Sequence, residues 1–312
     1  MCAFADRLGI PLALLYKLTR ARARLIMVSV WLSRPKKAIP MRYLRARTRL
    51  DAIVTWSSVQ GGFAVRNLGV PAEKVHVVPS PVDDRFWSPR AAPVENMICS
   101  VGMEARDYAT LLEAVEGLDV EVRIAVGTLV FSAGGGAGST ESSEPPFALL
   151  KRTFGYRFYR QWAEELSSGR LPGNVRISQQ LTPEELRGLY SRARLVVVPL
   201  HDVDADCGIT TTKEAMAMGK PVVVTRTKGQ VDMLEDGKQG VYVPPYDAAA
   251  LRSAIERLLA SPEEADRMGR AGRSLVEARH SMDAHVRYFL ALLGEQDTAD
   301  AVGSPLREPR PS

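Results

Sequence analysis

Short apolar runs, each followed by an amphipathic stretch, set the pattern of this chain. Residues 3–20 read as mostly helical, with Leu8, Leu12, Leu15 and Leu18 on overlapping faces and Pro11 either starting or kinking the helix. Leu25 to Leu32, Asp51 to Trp56 and Lys74 to Pro79 are rich in β-formers and predict three strands. Ser57 to Leu68 predicts a helix between the last two, capped by Ser57 or Ser58. A polar, proline-bounded stretch, Pro81 to Pro89, then reads as a domain linker.

From Glu95 the alternation becomes regular. Strands are expected at Met97–Val101, Val120–Val126, Asn174–Ile177, Leu195–Pro199, Pro221–Thr225 and Gly240–Val243. Helices are expected at Tyr108–Val115, Ala148–Leu166, Thr182–Ser191, near Val231–Leu234, and at Ala248–Leu259, Pro262–Ala278 and Met282–Leu293. Thr182-Pro183-Glu184-Glu185 is a helix start with Thr as cap, Pro first inside and Glu three residues on. Ser261 and Glu264 repeat the arrangement. Ser132 to Pro146 is a glycine- and serine-rich loop, and the tail from Glu295 is polar. Six strands alternating with helices imply a doubly wound parallel sheet. The reading divides the chain into residues 1–90, 91–281, a helix over 282–294 and a tail over 295–312.

Such a sheet binds ligands at the carboxyl ends of its strands, where the winding reverses. In the order 3-2-1-4-5-6 the first and fourth strands are neighbours. The loop after the first carries Gly102 to Asp107, and the loop after the fourth carries His201 to Glu214. In the second, Gly208, Ile209, Thr210 and Thr211 stand where a helix begins, so free N–H groups and the helix dipole favour an anion such as a diphosphate. Asp206 and Glu214 bracket that turn. Asp202, Asp204 and Asp206 suggest oxygen ligands, but no glycine and distal glutamate of a calcium loop accompany them, so no metal site is assigned.

Composition and charge refine the picture. A hydrophobic fraction of 46% and a charged fraction of 25% are those of a globular protein. The three cysteines are widely spaced and offer neither a disulfide framework nor a zinc site, which points to a reducing compartment. The first eighteen residues lack a secretory-signal pattern, and no apolar run approaches the roughly 18 residues of a membrane span. Residues 1–95 hold 16 Lys/Arg against 6 Asp/Glu, whereas the remainder holds 25 against 30. The N-terminal part therefore suits an anionic partner. No nucleic-acid motif is present. The basic segment Arg42–Arg49 is either a membrane-surface element or a solvated helix, and the aromatic stretch Phe147–Leu166 either touches a lipid or sugar or packs as an ordinary helix.

The run Gly208-Ile209 through Glu214-Ala215-Met216-Ala217-Met218-Gly219-Lys220-Pro221-Val222-Val223 resembles the signature of glycosyltransferase family 4, the group 1 glycosyl transferases of GT-B fold. Val75–Asp83, Ser100–Tyr108, Pro183–Leu186, Asp236–Val243 and Met268–Gly272 resemble the same family in order and spacing. The resemblance covers roughly residues 50–293. It implies two Rossmann-like domains, the N-terminal one truncated and incomplete here, with a C-terminal helix returning to it. It also implies a retaining, metal-independent transferase with no cofactor, whose donor is a nucleotide-diphosphate sugar. Carried onto this chain, Glu214 holds the ribose hydroxyls and Asp206, an Asp where the family has Glu, stands at the reacting sugar. Arg106 clamps the diphosphate, with Gly102, Gly208, Ile209, Thr210 and Thr211 around it. Met103 occupies the place of a second basic clamp, and base contacts fall near Arg176–Ser178. A cytoplasmic enzyme, placed peripherally at the inner face of the membrane and acting on a glycan, lipid or small molecule, is one reading. A non-catalytic nucleotide-sugar-binding or membrane scaffold is the other, and an epimerase of like architecture a third.

Overall fold

The computed structural model describes residues 1–126 and 171–294. The expected loop Ser132–Pro146, the expected aromatic helix Phe147–Leu166 and the polar tail from Glu295 lie outside the described residues.

The N-terminal sheet has four parallel strands in the order β1-β2-β3-β4: β1 (Cys2–Ala3), β2 (Ile26–Ser29), β3 (Ala52–Thr55) and β4 (Val75–Val77). Three of them match the expected strands, but β1 is unexpected, and its Ala3 overlaps the start of the stretch read as helix. Its two residues pair with Ile26 and Met27, and a two-residue strand has no periodicity to detect. Helix α1 (Asp6–Thr19) follows, with Pro11 inside it rather than at its start. The basic segment splits into α2 (Pro35–Arg42) and a 3-10 turn at Ala46–Arg49. Helix α3 (Ser58–Arg66) begins where Ser57 accepts from the Gln60 N–H.

The C-terminal sheet has six parallel strands: β5 (Met97–Val101), β6 (Glu121–Val126), β7 (Val175–Gln179), β8 (Val196–Val198), β9 (Val222–Thr225) and β10 (Gly240–Val243). Their order is β10-β9-β8-β5-β6-β7, the expected reversal, with β5 paired to β8 through Cys99–Val196 and Ser100–Val197. Most of these strands are buried end to end, as parallel strands covered on both faces must be. Alternate residues go to opposite faces. Val196, Val198, Val222 and Val224 join one core with α5 (Pro183–Arg192) and α6 (Ile209–Ala217). Val197, Val223 and Val241 join the other with α4 (Tyr108–Val115) and α7 (Ala248–Ala260).

Two local expectations fail. Val231–Leu234 forms no helix, because the segment is drawn across to the N-terminal domain, where Asp232 accepts from the Ser58 N–H at 2.6 Å and its hydroxyl at 3.0 Å. Helix α8 (Pro262–Leu275) stops short of Ala278 and widens into a π turn over Val276–His280, and Ser261 makes no side-chain cap. Thr182 and Glu185, by contrast, form the full reciprocal cap.

The chain crosses between domains twice, and the crossings lie side by side. The Val82 N–H donates to the His280 carbonyl at 2.8 Å, and the His280 ring meets the Ser80 carbonyl at 3.0 Å. The returning helix α9 (Met282–Leu293), capped by Ser281, buries Tyr288 against Ile26, Val28, Ala52 and Val54 of the N-terminal sheet.

Helix α8 (Pro262–Leu275) approaches the turn after α6 so closely that a Cβ at Gly269 would stand 2.0 Å from the Gly219 carbonyl oxygen. Alanine is the better helix former by ~1 kcal/mol, so backbone propensity alone favours Gly269→Ala. The close approach outweighs it. Gly269→Ala is expected to destabilise the protein by about 1–3 kcal/mol in urea unfolding, and an unchanged or raised midpoint would contradict this packing.

Candidate active site

The cleft is built where β5 and β8 end. Beyond them the chain continues as two loops that pair briefly antiparallel at Arg106 and Leu200. The Asp107 N–H donates to the Pro199 carbonyl at 3.2 Å and the His201 N–H to the Ala105 carbonyl at 3.0 Å. Loops almost a hundred residues apart in sequence thus share one local ladder.

Gly102 makes the sharp exit from β5 with φ of +109°, and a Cβ there would fall 2.5 Å from an Arg106 nitrogen. The Tyr108 hydroxyl donates to the Gly102 carbonyl at 2.6 Å. Asp107 caps α4 by accepting from the Thr110 N–H at 3.2 Å and its hydroxyl at 2.6 Å. Arg106 itself is buried. Its guanidinium donates to the Val101 carbonyl at 2.9 Å, the Glu104 carbonyl at 3.0 Å and the Thr211 hydroxyl at 2.9 Å. It makes carbonyl contacts instead of a surface ion pair, and its last bond reaches into α6.

Gly208, in the left-handed region with φ of +80°, is the cap residue of α6. Ile209, Thr210 and Thr211 form its first turn, whose N–H groups have no acceptor within the helix. Thr210 is exposed, while the Thr211 hydroxyl lies buried between Arg106 and the Val101 carbonyl. Thr211 therefore joins the two loops more than it caps.

Of the two acids, Asp206 precedes this helix and Glu214 lies within it. Glu214 accepts from the Tyr190 hydroxyl at 3.1 Å. Burial pushes its carboxyl up to about 7, against the pull of Tyr190, Lys213 and Arg106. Lys213 turns the other way and donates to the Pro81 carbonyl in the domain linker at 2.6 Å. Burial lowers it to about 7, opposed by Glu214.

Asp206 is only 6% exposed, and neither carboxylate oxygen has a hydrogen-bond partner among the described residues. Burial raises its pKa to about 7; nearby Ser57 offsets part of this, and the charges of Asp232 and Asp204 add to it. Asp206 lines a cavity of about 250 Å³ between the domains, together with Trp56, Ser57, Gln230, Asp232 and His280. The Trp56 indole N–H and the Gln230 side-chain oxygen are likewise unpartnered. The neighbouring acids point elsewhere. Asp202 pairs with Lys228 at 3.0 Å, and Asp204 accepts from the Trp31 indole at 2.9 Å.

The site thus includes residues the sequence reading passed over: Tyr190, Lys213, Trp31, Ser57 and Gln60. Gln60 donates to the Asp204 carbonyl and accepts from the Leu32 N–H at 2.7 Å, so one side chain ties three segments. The run Ser-Ser-Val-Gln after a strand was a legible helix cap; its reach across the cleft was not. His201 is buried with its ring 5.8 Å from Tyr246, and burial lowers its pKa. The backbone near Arg176–Ser178 lies on β7, separated from β8 by two strands, β5 and β6.

An acid held well above its unfolded pKa binds more protons when folded, so its ionisation costs stability as pH rises from about 4 to about 7. Asp206→Asn removes that cost. It is expected to raise Tm by about 3 °C or more at pH 8 and to leave it nearly unchanged at pH 4. Differential scanning calorimetry at both pH values checks this, and a lower Tm at pH 8 would mean that the carboxylate is stabilised in the fold.

Residues 155–275 match the model of the family described as Glycosyl transferases group 1. The MMP alpha-(1->4)-mannosyltransferase of Mycolicibacterium hassiacum is 27% identical over 234 residues, 73% of this chain and 50% of that protein. The D-inositol 3-phosphate glycosyltransferase of Segniliparus rotundus is 26% identical over 86% of this chain and 57% of its own length. The chain thus spans about half the length of these curated relatives. Anabaena HepE, solved in complex with UDP, superposes with a TM-score of 0.70 at 13% identity, covering 93% of this chain and 77% of that one, a likeness of fold. With Asp206 just before α6, Glu214 on it and a reversed six-stranded sheet, the chain has the GT-B fold, and its residues 155–275 are similar to the group 1 glycosyl transferases.

Proposed function

We propose that the protein is a retaining glycosyltransferase that moves a sugar from a nucleotide-diphosphate sugar to an acceptor hydroxyl, without a metal. The observation that carries this reading is the placement of Asp206, a buried carboxylate with both oxygens unpartnered, in the lining of a cavity between the domains. Such a group is costly unless a ligand supplies hydrogen bonds, and the hydroxyls of a sugar do so. The relatives' names, a mannosyltransferase and an inositol-phosphate glycosyltransferase, agree with sugar transfer, and HepE's complex with UDP agrees with a nucleotide donor.

In this reading Glu214, steadied by Tyr190, accepts from the ribose hydroxyls, since one carboxylate serves two donors. Gly208, Ile209 and Thr210 bring backbone N–H groups and the positive end of α6 to the diphosphate, with Gly102 giving room beside it at the exit of β5. Arg106, beneath that turn, adds positive charge where the leaving group gathers negative charge. The bond from the anomeric carbon to the diphosphate oxygen breaks as the acceptor oxygen bonds to that carbon. The acceptor's proton leaves with the nucleoside diphosphate. Asp206 holds the transferred sugar and faces the positive charge that develops at its reacting carbon. We place the enzyme in the cytoplasm, peripherally against a membrane; no described helix is long and apolar enough to cross one.

Isothermal titration with a panel of nucleoside diphosphates and their sugars tests the reading. Glu214→Gln is expected to weaken nucleotide binding about tenfold or more, and Asp206→Asn to abolish transfer while leaving nucleoside-diphosphate binding within about threefold. Binding by the parent without donor hydrolysis or transfer would identify a non-catalytic nucleotide-sugar-binding protein instead. No binding of any member of the panel would defeat both.

A further inference from the structure

Helix α1 is apolar on both sides, and only one side is covered. Ile10, Ala13 and Tyr16 pack on the N-terminal sheet. Leu8, Pro11, Leu15 and Leu18 recur at helical spacing along the opposite side and are exposed, Leu18 by 82%, and Phe4 just before the helix is 65% exposed beside the Phe289 ring. A second apolar patch, Ile39, Tyr43 and Leu44 at the end of α2, adjoins it, with Tyr43 exposed by 71%. The two are tied together by Lys17 of α1, which donates to the Leu44 carbonyl at 2.9 Å.

Charge decides what covers this face. The first 50 residues hold 12 Lys/Arg and a single acid, Asp6. That acid is buried and bonded to Lys37 at 2.7 Å, so it offers no negative charge to the surface. Arg7, Lys17, Arg20 and Arg22 border the stripe, and Arg42 and Arg45 border the second patch; all are exposed. An apolar strip with a one-sign basic margin matches a lipid surface: the strip enters the acyl boundary while the long basic side chains reach the headgroups. A second copy of the chain would bring two basic margins together.

We propose that the outer face of α1, with the Ile39–Leu44 patch, is a docking surface for an anionic lipid bilayer. This names the surface responsible for the peripheral location and is independent of donor chemistry. The stripe starts beside the carboxyl end of β2, where Asp6 accepts from the Ser29 hydroxyl at 2.9 Å. From there α1 carries the stripe back along the N-terminal sheet toward the amino ends of its strands, where Lys17 meets Leu44.

Co-sedimentation of the full 312-residue protein with vesicles tests this, comparing phosphatidylcholine alone with phosphatidylcholine–phosphatidylglycerol mixtures. Association is expected with the mixed vesicles only, and to weaken as salt is raised. Arg7→Gln with Arg22→Gln should lower vesicle affinity about fivefold per charge. Leu15→Ser with Leu18→Ser should lower it about tenfold or more. All these positions are exposed, so each variant should keep the parent's Tm by circular dichroism, separating lost docking from lost folding. The proposal is overturned if mixed vesicles are not bound, if neutral vesicles bind equally, or if the folded variants bind like the parent. Concentration-dependent dimerisation without vesicle binding, seen by sedimentation velocity, would assign the face to a second copy.

Discussion

A buried guanidinium holds this cleft in shape. Arg106 sits where two loops from adjacent strand ends meet, and its donors reach the exit of β5, its own loop and the first turn of α6. Charge-assisted hydrogen bonds to carbonyls in a place closed to water are strong, and the cost of breaking one is larger still. Because Arg106 fixes the start of α6, it also fixes Asp206 and Glu214, which flank and ride on that helix. Gly102 makes the arrangement possible, since any side chain there would occupy the guanidinium's place.

Around this fixed point the site stores polar groups at a cost to stability. Asp206, Glu214 and Lys213 are all displaced toward their neutral forms by burial. Two of them have partners in the fold: Glu214 has Tyr190, and Lys213 has the linker carbonyl of Pro81. Asp206 has none, and it is the one lining the cavity. Such an unmet requirement is how a protein reserves binding energy for a ligand at the expense of the empty fold.

The domains are joined by a hinge and by polar contacts across the cleft. Asp232 meets the start of α3, and Asp204 receives Trp31 and Gln60. These hydrogen bonds are individually modest, and beside them Trp31 and Trp56 pack against the core of the C-terminal domain. The hinge is more firmly made. Two crossings run in parallel, and α9 continues from the second one to cover the N-terminal sheet with Tyr288. The domains are thus connected permanently at one end of the cleft and by separable hydrogen bonds within it.

Much of this was already written in the residues. Valine runs bounded by turn residues marked the parallel strands, Thr182 with Glu185 marked a helix start, and the alternation of strand and helix implied the reversed sheet order that brings β5 beside β8. The acids eight residues apart on the Asp206–Pro221 segment marked the cleft's location. The sequence by itself determined these features because each is local, set by periodicity, capping or turn chemistry within a few residues. Only the tertiary structure decided what each group meets. It turned Arg106 inward onto carbonyls, supplied Tyr190 to Glu214, left Asp206 without a partner and drew Val231–Leu234 out of a helix toward Ser58. It also paired Cys2 and Ala3 as an edge strand and left one apolar side of α1 open to water. Partners far apart in sequence, and the difference between a covered and an uncovered apolar face, are properties of the packed chain and leave no local trace in the order of its residues.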